Sequence, residues 1–209
     1  SAVSWTSTCA GTPLERATNR RRSIGCTGRS VGRGRICSPS CAALPFRPVA
    51  TVPGDLTLQP YGGEPLTVAE QVTMFHLVAV VLDPYTYESS WILETAGRIL
   101  EELAEADCRT AWIITCDERD ADAFLGPWRQ RLLTICDPER KVVSGLGVTR
   151  IPALVHIGTD TTIIGKAEGW NPDEWREVTD NLAKMMSWTP PQFPKPGDPV
   201  AFEGSPADG

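Results

Sequence analysis

Long apolar runs and histidines are both scarce in this chain of 209 residues. The longest uninterrupted apolar run, at positions 77–82, has the length of one strand, whereas a membrane-spanning helix needs about 18 apolar residues. We therefore expect no membrane span. The only two histidines, His76 and His156, stand inside apolar stretches typical of strands. That placement favours a structural role over metal binding.

Cysteine is present but irregularly placed, and this excludes two further classes of protein. The seven cysteines are odd in number and lack regular spacing, which argues against a secreted disulfide scaffold and fits a reducing, cytoplasmic location. Only Cys37 and Cys41 have a spacing that resembles half of a zinc site. Because a tetrahedral zinc site needs two more ligands in register, we predict no metal and no other cofactor.

Acidic residues are nearly absent from the first quarter of the chain. Residues 1–54 hold eight arginines, no lysine and one acid, Glu15, and therefore carry a charge of +7. The net charge of the whole chain is −6, which leaves −13 for residues 55–209 once that +7 is subtracted. An acidic domain with this charge is a poor candidate for binding nucleic acid or an anionic membrane surface.

Residues 1–54 are also rich in Ser, Gly and Pro and show no helical or strand periodicity. Such a segment cannot bury enough apolar surface to offset the entropy of its chain. We predict a disordered leader that ends where the composition changes, at Pro53-Gly54-Asp55. Two alternatives stay open: an organelle transit peptide, which has a similar composition, or a segment upstream of the true start of the protein.

From residue 55 onward, short apolar runs alternate with helical patterns, as is typical of an α/β domain. The predicted elements are strands at 75–82, 111–116 and 132–136, helices at 91–106, 121–131 and 139–146, a hairpin of strands at 153–157 and 162–167, and a last helix beginning at Pro172. The predicted domain spans 55–187. Residues 188–209 hold six prolines and are predicted to form a disordered or extended tail.

A Gly-Val-x-x-Ile-Pro pattern ends at Pro152 and runs directly into the apolar strand at 153–157. Proline is tolerated at the first residue of a strand because it has no backbone donor to lose there. The pattern resembles the cis-proline loop of the thioredoxin superfamily. The order of elements over 75–187 is similar to that fold, a central mixed β-sheet flanked by helices. The extra helix and strand between Cys116 and Asp137 resemble the branch that contains thiol reductases and peroxiredoxin relatives.

The chain departs from this resemblance at the position that carries the family's chemistry. The family has two cysteines, separated by two residues, at the N-terminus of the helix after the first buried strand, where the helix dipole stabilises a thiolate. Aligning that strand places Tyr87, Glu88, Ser89 and Ser90 at this position, and residues 42–107 contain no cysteine. Serine cannot replace cysteine in thiol–disulfide exchange, so a redox-inactive domain is predicted.

Other cysteines provide an alternative. Cys116 and Cys136 each end a predicted strand, so an atypical thiol–disulfide oxidoreductase could use them, or could use Cys108. The plainer interpretation is that Cys116 and Cys136 are buried small apolar residues.

A serine hydrolase is a second catalytic alternative. It would need Ser89 or Ser90 to be activated by His156, oriented by an acid. No Gly-x-Ser-x-Gly sequence is present to support it.

The recognition surface around the family's active loop remains when the cysteines are absent. In thioredoxin-like proteins the segment before the cis-proline offers backbone groups to an extended peptide, a form of strand addition. The matching residues include aromatic side chains and an arginine, which are enriched at binding hot spots: Tyr85, Tyr87, Trp91, Arg150, Ile151, Pro152 and Trp170. The alternative is that the two tryptophans simply cover the sheet edge. We predict a protein-binding or scaffold module whose partner is another protein or an extended peptide.

Overall fold

The computed structural model describes residues 50–208, so the predicted leader lies outside the described residues except for positions 50–54. The strands are β1 (Ala50–Thr51), β2 (Thr57–Leu58), β3 (Leu66–Thr67), β4 (His76–Leu82), β5 (Cys108–Ile114), β6 (Leu133–Cys136), β7 (Arg150–Ile151), β8 (Ala153–Ile157), β9 (Thr162–Glu168) and β10 (Ser205–Pro206). The helices are α1 (Val68–Gln71), α2 (Tyr87–Leu103), α3 (Glu118–Leu125), α4 (Trp128–Arg131), α5 (Lys141–Gly145) and α6 (Pro172–Met186).

A central sheet of six strands in the order β1-β9-β8-β4-β5-β6 organises the domain. The strands β4, β5 and β6 run parallel, whereas β8 is antiparallel to β4, β9 to β8 and β1 to β9. Two small pairs, β7 with β10 and β2 with β3, lie outside this sheet. The predicted central mixed sheet is therefore confirmed.

The sheet is covered on both faces, as the valine-rich sequence of β4 predicts for a parallel strand. Successive residues of β4 lie on opposite faces of the sheet because side chains alternate along a strand. Val78, Val80 and Leu82 pack with α2, α3, α4 and α6. Leu77, Ala79 and Val81 pack with α1, α5 and the N-terminal strands.

Three helices differ from their predicted bounds, and the smallest difference is that of α5, which spans Lys141–Gly145 where 139–146 was predicted. The helix predicted at 91–106 begins one turn earlier, because Thr86 already has the extended backbone of an N-cap. The helix predicted at 121–131 is divided into α3 and α4 at Gly126-Pro127, since proline cannot donate the hydrogen bond that would continue the helix. Among residues 50–208 no helix is both long and apolar enough to cross a membrane.

Packed residues extend beyond the predicted bounds 55–187 at the N-terminal side. Ala50 and Thr51 pair with Ile163 and Thr162 at the edge of the sheet, and Val52 is buried. An apolar contact of this kind needs only one buried side chain. A segment with no periodicity can therefore still end in packed structure.

The Pro-rich residues 188–208 also pack against the domain, which corrects the prediction of a disordered tail. Phe193 is buried in the same face of the core as Trp170, and β10 pairs antiparallel with β7. Proline restricts the unfolded chain, so ordering such a segment costs less entropy than usual. We call residues 188–199 the clamp and residues 200–208 the strap.

Candidate functional site

The loop at 83–86 joins the carboxyl end of β4 to α2, and one buried serine holds it in place. The hydroxyl oxygen of Ser89 accepts a hydrogen bond from the backbone N–H of Asp83 at 2.9 Å and one from the hydroxyl of Thr86 at 2.9 Å. Ser89 is fully buried. Its role is therefore structural, and it is not available to a substrate.

The first turn of α2 presents the other residues predicted at the dithiol position. Tyr87 is the first residue of the helix and is 79% exposed. Ser90 is also exposed, and its hydroxyl reaches only the carbonyl of Thr86, at 3.4 Å. Glu88 is half-buried. This turn therefore presents a phenol ring and a hydroxyl at the two positions that the alignment gives to cysteines.

Exposed aromatic rings form a rim on this side of the domain. Tyr85, Tyr87 and Trp91 are each more than half exposed. The hydroxyl of Tyr85 donates a hydrogen bond to Asp120, and this bond is the main cause that raises the pKa of Tyr85 to about 12. The phenol is thus neutral near pH 7. We call these three residues the aromatic rim.

The segment before Pro152 is occupied by the strap. The Ile151–Pro152 peptide bond is cis, and both residues are buried. In the pairing of β7 with β10, Ser205 lies opposite Ile151. The N–H of Ala207 also donates to the carbonyl of Thr149 at 2.9 Å. The backbone groups predicted to receive an extended peptide are therefore paired with the chain's own C-terminal residues.

Trp170 lies beneath the strap rather than on the surface. The backbone N–H of Trp170 donates to the backbone carbonyl of Phe202 at 2.8 Å, and the backbone carbonyl of Trp170 accepts from the backbone N–H of Phe202 at 2.9 Å. The ring of Phe202 in turn meets the ring of Trp91 edge-on, with centroids 5.7 Å apart. The strap thus links the buried Trp170 to the exposed aromatic rim.

Arg140 connects the strap to the loop after β4. Its guanidinium donates to a carboxylate oxygen of Asp83 at 2.8 Å and to the carbonyl of Ala207 at 2.7 Å. Asp83 is buried, and a buried carboxylate requires such a partner because desolvation of an unpaired charge is costly. A single side chain therefore holds both parts of the candidate site.

An open groove of about 340 Å³ runs beside the strap. Exposed Arg150 lies at its edge, 3.2 Å from the carbonyl of Gly204 and 3.5 Å from the carboxylate of Glu203. The N–H groups of Thr149 and Arg150 both donate to Glu168 at 3.1 Å. Most of the polar groups around the groove are thus paired within the protein.

The three cysteines among the described residues are free and buried. Cys136 of β6 lies opposite Ile114 of β5, and Cys116 follows two residues after Ile114, so both thiols lie at the same end of the sheet. Burial is the main cause that raises the pKa of Cys116 to about 12 and that of Cys136 to about 11, with nearby negative charges adding to it. Burial, with Asp107, raises the pKa of Cys108 to about 11. Because the thiolate is the reactive species, burial and a raised pKa both disfavour reaction of these three thiols.

His156 is too far along the sheet to act on Ser89 or Ser90. It pairs with Val78 near the start of β4, whereas the serines follow the end of that strand. Nε2 of His156 lies 2.9 Å from Nδ1 of His76. Burial, followed by the neighbouring His76, lowers the pKa of His156 to about 4. The arrangement that the hydrolase alternative requires is absent among residues 50–208.

The structure brings some of the predicted site residues together and separates others. The aromatic rim is accessible, but Ile151, Pro152 and Trp170 are covered. Sequence reasoning missed Phe202, Gly204 and Ala207 of the strap, together with Arg140. A Phe-x-Gly-Ser-Pro-Ala sequence at the end of the tail was the available signal. No group of three histidine, cysteine or acidic side chains within residues 50–208 could hold a metal ion.

Comparisons with known proteins agree on the fold. No protein-family model and no curated protein matches the sequence. Among solved structures, the chain is similar to the MTB protein dsbF, with 14% identity and a TM-score of 0.50 over 66% of this chain and 98% of that one. It is also similar to peroxiredoxin Q from Xanthomonas campestris, with 13% identity and a TM-score of 0.53 over 67% of this chain and 97% of that one.

A third similar structure is a protein from Chlorobium tepidum assigned as the thiol:disulfide interchange protein DsbE. It shares 12% identity with a TM-score of 0.55, over 68% of this chain and 99% of the other. These similarities confirm the predicted thioredoxin-like fold. At such low identity they concern the fold alone.

Proposed function

We propose that this thioredoxin-like domain has no dithiol redox activity and acts as a protein-binding or scaffold module. The observation that carries the proposal is the first turn of α2, where exposed Tyr87 and Ser90 stand at the dithiol positions. Neither side chain can form a disulfide. The predicted cytoplasmic location and the protein or peptide partner belong to the same proposal.

The remaining cysteines support this proposal rather than the alternative of an atypical oxidoreductase. A catalytic cysteine is exposed and has a lowered pKa, whereas burial raises the pKa of Cys116 to about 12 and that of Cys136 to about 11. The sulfur of Cys116 also lies 3.3 Å from the carbonyl of Asp117. Both thiols are therefore protected from reaction by their surroundings.

The aromatic rim supports the binding part of the proposal. Large aromatic rings bury much apolar area at low entropic cost and are enriched at binding hot spots. Trp91 is 57% exposed on the outer side of α2 and already holds one ring, that of Phe202. A partner that contacts the rim would cover an apolar surface that a domain core does not need.

Disulfide reduction tests the redox part. The full chain is assayed with insulin and with hydroxyethyl disulfide, which is small enough to reach the loop whether or not the strap is in place. We expect no turnover by the wild type or by Cys116→Ser/Cys136→Ser. We expect turnover of hydroxyethyl disulfide by Tyr87→Cys/Ser90→Cys, because the fold then carries a dithiol at its helix N-terminus. Wild-type turnover that the double serine variant loses would establish the oxidoreductase alternative.

Selection from a random peptide library tests the binding part. Peptides that bind the full chain should bind Trp91→Ala at least about tenfold more weakly, since loss of a hot-spot aromatic costs more than about 1.4 kcal/mol. Trp188→Ala is the matched control, because Trp188 is an exposed tryptophan of the clamp, outside the aromatic rim. Equal binding to the wild type, Trp91→Ala and Trp188→Ala would show that the aromatic rim is not part of the surface that binds these peptides.

A further inference from the structure

The strap has the features of a bound peptide ligand. In the described part of the chain, β7 has no strand partner except β10, so another extended segment could pair with β7 only in place of the strap. The contacts are made by main-chain groups, including the bonds of Ala207 to Thr149 and of Phe202 to Trp170. Strand addition of this kind gives affinity through the backbone and specificity through the side chains that face the site.

A glycine requirement gives the site specificity. A Cβ atom on Gly204 would lie 2.6 Å from the carbonyl oxygen of Ile151 and 3.2 Å from the Cα of Gly169. The φ angle of Gly204 is +81°, a conformation that other residues rarely adopt. A Cβ atom on Gly169 would in turn lie 2.5 Å from the carbonyl oxygen of Glu203. The two backbones approach so closely that the ligand must have glycine here.

Three other residues of the strap also make specific contacts with the site. The ring of Phe202 packs on Trp91, the hydroxyl of Ser205 donates to the carbonyl of Ile151 at 3.3 Å, and Ala207 is buried, with its carbonyl bound by Arg140. These contacts specify an aromatic residue, glycine, serine and alanine at positions 202, 204, 205 and 207, and the strap has an exposed proline at position 206.

Ala207 is the only buried residue of the strap, so hydrogen bonds rather than core packing attach the strap to the domain. The pairing of the strap with β7 is two residues long, and short strand pairs are marginally stable. The ion pair of Glu203 with Arg150 is exposed and 3.5 Å long, so it adds little. The clamp just before it remains anchored by the ion pair of Asp198 with Arg98. The strap can therefore open while it stays tethered.

We propose that the strap is an intramolecular ligand that exchanges with a segment of a partner protein carrying the same Phe-x-Gly-Ser-Pro-Ala pattern. This inference rests on the proposed function and names the class of partner that the module binds. A tether gives the strap an effective concentration on the order of millimolar. A partner segment must therefore compete with it, and the apparent affinity of the closed protein is low.

Fluorescence anisotropy with a labelled peptide tests this exchange. The probe is a synthetic peptide of residues 199–209 with fluorescein at its N-terminus, and the protein is the full chain with Gly204→Val, which the close contacts should force open. We expect this variant to bind the peptide at least tenfold more tightly than the wild type does. Val200→Ala is the control, because the Val200 side chain is exposed within the same strap, and it should bind as the wild type does.

Two further measurements complete this test. Phe202→Ala opens the strap without a steric clash and should also bind the peptide more tightly than the wild type, and near-ultraviolet circular dichroism verifies the fold of each variant. A peptide with valine in place of its glycine should not bind. Absence of peptide binding by folded Gly204→Val and Phe202→Ala, or equal affinity in wild type and variants, would overturn the exchange. Neither result would change the expected absence of disulfide turnover.

Discussion

The clamp and the strap are consecutive parts of one Pro-rich segment, yet the domain holds them by different means. In the clamp, Phe193 is 6% exposed and its ring lies 6.0 Å from that of Trp170. The buried carboxylate of Asp198 accepts hydrogen bonds from Thr95, Arg98 and the N–H of Lys195. In the strap, Val200 is 86% exposed, and main-chain hydrogen bonds provide most of the contacts.

This difference shows that composition alone does not decide whether a segment is ordered. The clamp holds five of the six prolines and the strap holds one, and only the clamp places a buried large side chain, that of Phe193, in the core. Burial of such a side chain stabilises by about 1.5–3 kcal/mol, whereas a net hydrogen bond contributes about 0.5–1.5 kcal/mol. We therefore expect the clamp to stay folded with the domain, and we expect the strap to detach while the domain remains folded.

The largest expected difference between the clamp and the strap is in the stability that each loses when its phenylalanine is replaced by alanine. Phe193→Ala should lower the free energy of unfolding by about 3–5 kcal/mol, as for other fully buried phenylalanines. Phe202→Ala should lower it by about 1 kcal/mol, because it loses mainly one aromatic contact. Denaturation in urea measures both values. Equal losses would mean that the two parts are bound alike.

Acid should weaken the sheet before it weakens the clamp. The pKa of His156 is lowered from 6.5 to about 4 because its ring is buried. The neutral ring is therefore favoured in the folded state, and its contribution is fully present above pH 6.5 and is lost as the pH falls towards 4. This lowering of the pKa corresponds to a contribution to stability of about 3 kcal/mol. Unfolding of the wild type at several pH values measures it, and His156→Gln should lack this dependence.

Loss of the Asp198 charge should weaken the clamp by an intermediate amount. Burial alone would raise the pKa of Asp198, but hydrogen bonds from Lys195 and Thr95, together with Arg98, lower it below 3.8. Its contribution is therefore present above pH 3.8 and is lost as the pH falls through the lowered pKa. At pH 7, Asp198→Asn should cost about 1–3 kcal/mol.

The control for this prediction is an exposed carboxylate, that of Asp173, which pairs with Arg176 on the surface of α6. Asp173→Asn should change stability by less than about 1 kcal/mol. If the two substitutions cost the same, the ion pair of the clamp contributes no more than a surface pair.

Gly204→Val should have a small effect on global stability. The clash can be relieved by release of the strap, so the cost cannot exceed the free energy that holds the strap closed. We place that free energy at about 2 kcal/mol, which is enough for the tenfold gain in peptide affinity expected when the strap opens. The same variant should become sensitive to proteinase K within residues 200–208. A loss comparable to that of Phe193→Ala would show that the strap is required for folding.

The sequence predicted the sheet and most of its strands because the periodicity of β4 and the hairpin of β8 and β9 are strong local signals. It also predicted the absence of a dithiol, since residues 42–107 contain no cysteine. It placed Ser89 within the dithiol position, and the structure buries this serine in the first turn of α2. Local pattern could not show that its hydroxyl would bind the loop of Asp83.

The occupied site could not be predicted because it depends on contacts between distant parts of the chain. Ile151 and Ser205 are 54 positions apart, and no periodicity connects them. Arg140 joins Asp83 to Ala207 in the same way. The glycine of the strap is informative only once Gly169 is known to lie opposite it.

Hydrogen exchange followed by nuclear magnetic resonance tests most directly whether the strap opens while the domain stays folded. The amides of Phe202 and Ala207 are bonded to Trp170 and Thr149, and the amide of Val80 lies in the centre of the sheet. We predict that the two strap amides exchange by local opening, at a free energy well below that of global unfolding, while Val80 exchanges only with global unfolding. Exchange of all three amides at the same free energy would contradict a displaceable strap.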